Sequence, residues 1–343
     1  MNKRKRLLKI LIPALSIFIS SLFIPWILIR IWLTPLPSTI QEQVNQAINY
    51  DLDGVIVYVD QGGKSPKLYA SGWKNKENEI PIDPNDLFKI ASISKLYIAA
   101  AATKLVAEKR LFLDQKLSEY LPGISERIEN SEKISLRMMI RHRSGIPNFT
   151  DQKDFPWDNL PKDNQSTLEF ALDLPAEFDP DEKYSYSNTN YLLIGEILDK
   201  TLGYSHHQYI KEVILEPLRL ENTFSLLDDV DKSKMISGYA IGYEPDLMIN
   251  NFTTPGGSMI ASAEDVGIFL RALNDGTLFT EEEEEIYTSI YEYGHTGLLP
   301  GYQSIARYHS DIDAVVVQFV NTSGGLAWNV HEMIYSRIIK ILK

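Results

Sequence analysis

In two places a serine is followed three residues later by a lysine, a spacing that can produce a nucleophile. The pairs are Ser71 with Lys74 and Ser92 with Lys95. Side chains three residues apart share a face on a helix but not on a strand. Ser71 lies in a predicted strand, whereas Ser92 opens an alanine-rich segment that predicts a helix. We therefore predict that Lys95 reaches the Ser92 hydroxyl.

A serine hydroxyl is a weak nucleophile until a neighbouring base takes its proton. Lys95 can be that base if burial or nearby positive charge lowers its pKa. A helix N-terminus at Ser92 would add free N–H groups and a positive dipole. Taken alone, the four-residue pattern favours a simpler interpretation, in which Ser92 caps the helix and Lys95 lies in solvent.

A second candidate segment is Tyr186-Ser187-Asn188, the one Tyr-x-Asn among the 18 tyrosines of the sequence. Tyr186 can relay a proton to a leaving group, and Asn188 can hold a substrate amide. Taken alone, the segment is also typical of a loop tyrosine followed by a helix-capping asparagine.

A third candidate segment is His295-Thr296-Gly297, followed by Leu298. A short edge strand here would bring a backbone N–H, a hydroxyl and an imidazole to one groove. Gly297 would let a substrate approach the backbone closely. Taken alone, the segment also reads as a turn before a strand.

The sequence lacks the motifs that other classes of catalytic and cofactor-binding site require. The sequence contains no cysteine, no Gly-x-Ser-x-Gly elbow, no His-Glu-x-x-His, no phosphate-binding loop and no dinucleotide fingerprint. The adjacent His206 and His207 would point apart on a helix, so we interpret them as ordinary polar residues and not as metal ligands. We predict neither a metal nor a cofactor.

The spacing of apolar residues predicts the strands and helices that position these three segments. Residues 55–59 and 67–73 predict a hairpin, and residues 303–309 and 314–320 predict a second one. Helices are predicted between them and at the C-terminus. Strands at both ends with helices between them indicate one α/β layer with a helical insert. The predicted domains are a sheet domain (residues 36–91 and 231–343) and a mostly helical domain (residues 92–230).

Residues 1–35 differ from the rest of the chain. Five basic residues precede an uncharged, apolar run of 20 residues, 10–29, which is long enough to span a bilayer as a helix. The basic flank should stay cytoplasmic, so we expect the body to be extracytoplasmic, in the periplasm or outside the cell. The competing interpretation is a cleaved signal peptide, although Trp32-Leu33-Thr34-Pro35 is a poor cleavage site.

The body of the protein is acidic. The first 35 residues hold six of the 34 basic residues and none of the 46 acidic ones, which leaves the rest with a formal charge of −18. Such a body should repel nucleic acid and anionic lipid. The densest acidic run, residues 281–285, follows Thr280 and predicts the N-terminus of a helix rather than a cation site.

As a set, the three candidate segments resemble the serine β-lactamase-like superfamily, closest to class C β-lactamases, DD-peptidases and related esterases. The resemblance covers about residues 45–340. It implies an α/β (α+β) fold of the β-lactamase/transpeptidase type, in which an antiparallel sheet flanked by helices stands beside a mostly helical domain. The supporting stretches are Phe88-Lys89-Ile90-Ala91-Ser92, Met139-Ile140-Arg141-His142-Arg143-Ser144-Gly145-Ile146-Pro147, Tyr186-Ser187-Asn188-Thr189-Asn190-Tyr191, Glu216-Pro217-Leu218, Pro255-Gly256-Gly257, Gly294-His295-Thr296-Gly297 and Pro300-Gly301-Tyr302.

The resemblance also implies roles for the candidate residues. Ser92 would be acylated, Lys95 and Tyr186 would share the base and acid work, and water would release the acyl group. The resemblance further implies that the backbone N–H groups of Ser92 and Leu298 form an oxyanion hole. It implies that Asn188 orients Lys95 or a substrate amide. It also implies that Thr296 and His295 contact the far end of the substrate.

Two positions depart from the family pattern. Lactamases of this type usually carry lysine where His295 stands, and a histidine is only partly charged near neutral pH. Arg143 stands where threonine is common, in a stretch that we interpret as structural. We expect an acyl-enzyme hydrolase of small peptides, amides or esters. The alternatives are a true β-lactamase and a weakly active or inactive penicillin-binding sensor.

Overall fold

The computed structural model describes residues 24–343 and contains a central six-stranded sheet. The sheet has the order β3-β2-β1-β10-β9-β8, and every pairing in it is antiparallel. Val55 pairs with Val320, so the first and last long strands are neighbours at its centre. The strands of the sheet are β1 (Gly54–Gln61), β2 (Lys67–Asn75), β3 (Ile80–Pro81), β8 (His295–Leu299), β9 (Tyr302–His309) and β10 (Ala314–Val320).

Two small sheets complete the strand content of the described residues. β4 and β5 flank β7 in antiparallel pairs, and β11 pairs with β6 in parallel. The strands of these sheets are β4 (Phe88–Lys89), β5 (Thr223–Phe224), β6 (Tyr239–Ala240), β7 (Ile260–Ala261) and β11 (Thr322–Ser323).

Helices cover both faces of the large sheet. The α-helices are α1 (Trp26–Leu33), α2 (Ile40–Ala47), α3 (Ser94–Ala107), α4 (Leu117–Tyr120), α5 (Pro122–Ser125), α6 (Leu136–Ile140), α7 (Asn164–Leu168), α8 (Asn188–Leu202), α9 (His206–Ile210), α10 (Ala263–Asn274), α11 (Glu281–Ile290) and α12 (Ala327–Leu342). Short 3-10 turns lie at Ile48–Tyr50, Ala91–Ile93, Phe149–Asp151, Leu227–Asp229 and Lys232–Lys234, and a π-helical turn lies at Lys211–Leu215.

Successive side chains of the central strands point alternately to the two faces of the large sheet, and both faces are buried. Ile56 and Tyr58 of β1 point into the larger hydrophobic cluster, which includes α3, α8 and α10. Val55 and Val57 point to the opposite face, where α1, α2 and α12 pack. Successive side chains of a strand face opposite sides, so a strand buried on both faces is apolar throughout.

These observations confirm the predicted fold class, an antiparallel sheet flanked by helices, built from both ends of the chain. The acidic run also behaves as predicted, because Thr280 and Glu283 form a capping box at the start of α11. Between residues 92 and 230 the described elements are helical apart from the two residues of β5. The domain boundaries themselves stay a prediction.

The predicted membrane span, residues 10–29, lies mostly outside the described residues. Within residues 24–343, no helix combines the length and the apolar character that a bilayer crossing needs. At the C-terminal end of the predicted span, helix α1 begins only at Trp26, directly after Pro25. This differs from one helix that would continue through residue 29. Ile27 and Leu28 pack against the cluster that contains α12. The Arg337 guanidinium donates to the carbonyls of Ile31, Thr34 and Pro35 and so holds the end of α1.

Helix α10 packs so closely on β1 that it requires a glycine. A Cβ placed on Gly267 would lie 2.1 Å from Cε1 of the buried Tyr58. We predict that Gly267→Ala lowers the free energy of unfolding by about 1–3 kcal/mol, because the overlap outweighs the better helix propensity of alanine. Urea unfolding measures the change. Gly123→Ala is the matched control, since no atom lies within 4 Å of a Cβ placed there; equal midpoints for the two variants would contradict the packing argument.

Candidate active site

Ser92 lies in the 3-10 turn Ala91–Ile93, immediately before α3. This differs from the predicted position as the first residue of the α-helix, which begins at Ser94. The Ser94 hydroxyl donates to the Ala91 carbonyl over 2.6 Å and holds the turn, in which Ala91 has a φ of 52°. The i to i+3 relation survives, because Lys95 Nζ lies 3.2 Å from Ser92 Oγ.

The Lys95 amine is fully buried and has three hydrogen-bond partners. Besides Ser92 Oγ, it contacts Asn188 Oδ1 and the Gly256 carbonyl, each at 2.8 Å. Burial lowers the pKa of Lys95 well below its ordinary value, which favours the neutral amine. A neutral amine has two N–H groups, and the two carbonyl oxygens accept them. Its lone pair is then left for the Ser92 hydroxyl, as a general base requires.

The Tyr186 hydroxyl donates to Ser92 Oγ over 2.8 Å. Burial raises the pKa of Tyr186 above its ordinary value, so the phenol keeps its proton at neutral pH. Its ring centroid lies 5.0 Å from Lys95 Nζ. The site therefore pairs a neutral amine with a protonated phenol around one alcohol, which separates the roles of base and acid.

The neighbour that fixes Tyr186 is His142, which the sequence analysis placed in a structural stretch. Its ring stacks on the Tyr186 ring with centroids 4.4 Å apart, and its Nδ1 accepts the Ser187 N–H over 3.1 Å. Burial, followed by the nearby Lys95, lowers the pKa of His142 to about 2. The imidazole is therefore neutral, and it acts as a flat support for the phenol.

We predict that His142→Ala lowers kcat about tenfold and leaves KM nearly unchanged, since a small displacement of Tyr186 removes its alignment with Ser92. Steady-state kinetics on a p-nitrophenyl ester separates the two constants. His142→Asn retains an acceptor for the Ser187 N–H and should restore part of the rate. A larger effect on KM than on kcat would show that His142 supports substrate binding instead.

Asn188 joins Lys95 to the opposite wall of the cleft. Its side-chain N–H group donates to Thr150 Oγ1 over 3.2 Å, and its backbone N–H donates to Asn148 Oδ1 over 2.9 Å. The amide oxygen is therefore turned toward Lys95, one of the two orientations that the resemblance implies. Thr150 and Asn148 carry no sequence signal for this contact, because they lie about 40 residues away in the chain.

Strand β8 forms the edge of the large sheet and one wall of the cleft. His295, Thr296 and Leu298 line the same cavity as Ser92. The His295 Nδ1 contacts the Thr296 carbonyl. Burial, followed by the nearby Lys95, lowers the pKa of His295 to about 4, so the imidazole is neutral at physiological pH.

Gly297 serves a purpose that the sequence analysis did not assign. A Cβ on Gly297 would lie 2.4 Å from the Ile90 carbonyl oxygen and 2.3 Å from Ser304 Oγ. Its open side therefore faces the backbone just before Ser92, and Gly297 is not among the residues that line the cavity. The glycine lets β8 pack against the nucleophile turn.

The cavity at Ser92 has a volume of about 660 Å³ and mixed walls. Polar groups lie near Ser92, and an aromatic pair forms another part of the lining. Trp157 and Phe252 are nearly parallel, with ring centroids 6.5 Å apart. No pattern in the sequence indicates either residue as part of the site, because neither belongs to a segment with a chemical motif.

The other candidate groups stand apart from this constellation. Ser71 lies in β2 opposite Val55, and Lys74 pairs with Asp86 at 2.6 Å. His206 is held by Asp199, and no group of three or more potential metal ligands occurs among residues 24–343. The Ser-x-x-Lys at Ser71 thus forms no nucleophile–base contact.

Comparison with known proteins gives one family for most of the chain. A family model described as Beta-lactamase matches residues 38–289. Protein flp of Staphylococcus aureus (strain N315) is 27% identical over 281 residues, which is 77% of this chain and 54% of that protein. Penicillin-binding protein 4* of Bacillus subtilis (strain 168) is 27% identical over 202 residues, 58% of this chain and 44% of that relative. The chain spans about half the length of the curated relatives it matches.

Solved structures share the fold. The D-amino acid amidase from Ochrobactrum anthropi SV3, in complex with L-phenylalanine amide, has a TM-score of 0.79 at 21% identity and covers 88% of this chain and 97% of its own. A penicillin binding protein from Bacillus halodurans has a TM-score of 0.74 at 20% identity, with 87% and 98% covered. These similarities confirm the β-lactamase-like fold that the sequence predicts.

Proposed function

From the premise that the chain belongs to the Beta-lactamase family, we propose that it is a serine hydrolase that works through an acyl-enzyme on small peptides, amides or esters. The observation that carries the proposal is the double contact at one hydroxyl. Ser92 Oγ lies 3.2 Å from Lys95 Nζ and 2.8 Å from the Tyr186 hydroxyl. A nucleophile held between a base and an acid is the arrangement that acyl transfer needs.

In the acylation step, the neutral Lys95 takes the proton of Ser92 while Oγ attacks the carbonyl carbon of the substrate. The carbonyl π-electrons move to oxygen, and the tetrahedral intermediate then expels the leaving group. Tyr186 supplies the proton that the leaving nitrogen or oxygen needs, and Lys95 returns a proton to Tyr186. In deacylation, water replaces the leaving group and the same transfers run in reverse.

The developing oxyanion needs two donors. The backbone N–H groups of Ser92 and Leu298 are the proposed pair, because both residues line the cavity and belong to facing elements. Backbone donors held in fixed positions stabilise charge that appears only in the transition state. Thr296 and His295 are the proposed contacts for the far end of the substrate, and Asn188 keeps Lys95 directed at Ser92.

The neutral state of His295 bears on the substrate class. A lysine at this position would carry a fixed positive charge for a substrate carboxylate, whereas a partly buried imidazole with a pKa of about 4 does not. This favours substrates with an uncharged end, such as amides and esters, over penicillins. The name of the amidase that shares the fold points in the same direction.

Two alternatives remain distinct from the main proposal. A β-lactamase would hydrolyse a chromogenic cephalosporin at a rate well above background. A penicillin-binding sensor would be labelled by a fluorescent penicillin at Ser92 and would turn over neither cephalosporin nor ester. The test is a panel of D-amino-acid amides, short D-peptides, p-nitrophenyl esters and the cephalosporin. Background rates on every member of the panel would refute the hydrolase proposal.

The pH dependence should report Lys95 and not a histidine. Since the neutral amine is the base and burial lowers its pKa, kcat/KM should rise with pH through one ionisation below the ordinary lysine range. Because the His295 pKa is about 4, His295 should add no ionisation of its own near the histidine value of about 6.5. A kcat/KM profile on an uncharged substrate from about pH 5 to about pH 11 measures this, since the range includes the ordinary lysine pKa of about 10.4. A midpoint at the ordinary lysine value would contradict Lys95 as base.

We also propose that residues 1–35 anchor the protein in a membrane and that the body lies outside the cytoplasm. The support is the basic head followed by an apolar run in the sequence. Alkaline carbonate extraction of membranes tests the anchor: retention in the pellet supports it, and release of a shorter species supports a cleaved signal.

Residues 92–230 are proposed as a mostly helical domain beside the sheet domain.

A further inference from the structure

The charges that line the cleft are unbalanced. Among the described residues that line the cavity at Ser92, Asp151 is an acid, and none is a lysine or an arginine. Within the same part of the chain, the Asp151 carboxylate takes part in no ion pair and no side-chain hydrogen bond. The cavity therefore offers a free anion and lacks a fixed cation.

Asp151 is exposed to solvent and lines the same cavity as Ser92. It ends the 3-10 turn Phe149–Asp151, and its neighbour Thr150 accepts the hydrogen bond from Asn188 over 3.2 Å. Asn188 in turn contacts Lys95, which contacts Ser92. Three successive hydrogen bonds thus connect Ser92 to Thr150, the residue adjacent to Asp151.

An apolar surface accompanies the carboxylate. Trp157 and Phe252 are both partly buried and come from separate loops, and they form a nearly parallel pair in the lining. Aromatic rings with open faces take up apolar or aromatic side chains and tolerate a neighbouring cation. A carboxylate and an aromatic wall in one cavity together suit a small molecule that carries an ammonium group and an apolar side chain.

The electrostatic field of the protein beyond residue 35 also favours a cationic ligand. Beyond residue 35 the formal charge is −18, so the protein attracts cationic small molecules and repels anionic ones. A free carboxylate of a substrate would meet the Asp151 charge without a cation to balance it. A free amine would gain a partner at the same place.

We propose that Asp151 binds the free ammonium group on the acyl part of the substrate, so that the cleft selects aminoacyl amides and esters with an apolar or aromatic side chain. This rests on the proposed hydrolase function and specifies its substrate class. In this pose the substrate carbonyl lies at Ser92, the ammonium group lies toward Asp151, and the side chain contacts the Trp157–Phe252 pair.

The test uses matched chromogenic amides, phenylalanine p-nitroanilide with a free α-amine and its N-acetyl derivative, each as both enantiomers. The enzyme should hydrolyse the better enantiomer of the free amine with a kcat/KM about threefold to tenfold above that of its N-acetyl form, as expected for one partly solvated ion pair. Asp151→Asn should remove this preference by raising the KM of the free amine, so that its kcat/KM falls toward that of the N-acetyl substrate. Asp154→Asn is the control, since Asp154 is exposed, as Asp151 is, but does not line the cavity.

The outcomes separate the two levels of the proposal. Equal rates on both substrates, or a preference that survives in Asp151→Asn, would overturn the ammonium site while the hydrolase function stands. Loss of the preference in Asp154→Asn as well would assign it to net charge and overturn the site. Turnover of neither substrate, nor of an ester, would instead refute the hydrolase function.

Discussion

Ser92→Ala should abolish ester and amide hydrolysis, with kcat/KM reduced about ten-thousand-fold or more. Both Lys95 and Tyr186 contact this hydroxyl, so its removal leaves a base and an acid without a nucleophile. The fold should be unaffected, because the turn is held by Ser94 and not by the Ser92 side chain. Initial rates on a p-nitrophenyl ester, with circular dichroism on the same samples, measure both effects.

The chain carries its own control for this experiment. Ser71 also precedes a lysine by three residues, yet it lies in β2 away from the cleft. Ser71→Ala should therefore retain the full rate. If Ser92→Ala keeps its activity, or if mass spectrometry finds an acyl adduct on another residue, the assignment of the nucleophile is wrong.

Lys95→Met should lower kcat/KM about a thousandfold, the second largest effect that we expect. Methionine fills nearly the same volume but has no lone pair to receive the Ser92 proton. The substitution also leaves Asn188 Oδ1 and the Gly256 carbonyl without their donor, which should lower the free energy of unfolding by about 1–3 kcal/mol. Thermal unfolding should show the protein still folded at the assay temperature.

The matched control for this substitution is Lys74→Met, in the second Ser-x-x-Lys. Lys74 is bonded to Asp86 and not to a serine, so this variant should lose some stability and keep its catalytic rate. Acylation of Ser92 in Lys95→Met at the rate of the unchanged protein, stoichiometric and without turnover, would assign Lys95 to deacylation alone. An unchanged kcat in Lys95→Met would exclude it as a base.

Local pattern was enough to predict the secondary structure around the site. The strand at residues 314–320 is predicted with the bounds that β10 has, and the edge strand at His295 is present as β8. The pairing of Ser92 with Lys95 also follows from sequence, because the contact spans three residues and depends only on helical geometry. Tyr186 could be proposed because a rare Tyr-x-Asn stands at the start of a helix.

The supporting contacts are tertiary, and no sequence period encodes them. His142 contacts Tyr186 through a ring stack that joins two segments far apart in the chain. The Gly256 carbonyl completes the Lys95 site from more than 150 residues away, since 161 positions separate the two. The packing of Gly297 is tertiary for the same reason, because a Cβ there would meet the Ile90 carbonyl oxygen. Its role in substrate approach stays a prediction.

The adjacency of β1 and β10 sets the order in which the enzyme can mature. Val55 pairs with Val320, so the ribosome must have made residue 320 before the two central strands can meet. Strand β8, which forms one wall of the cleft, is attached to the sheet through β9 and β10. Such distant partners make folding slow, because loop closure precedes the contacts that reward it. A chain cut short before residue 314 would lack the strand that joins its two halves, and the nucleophile would be left without its facing wall.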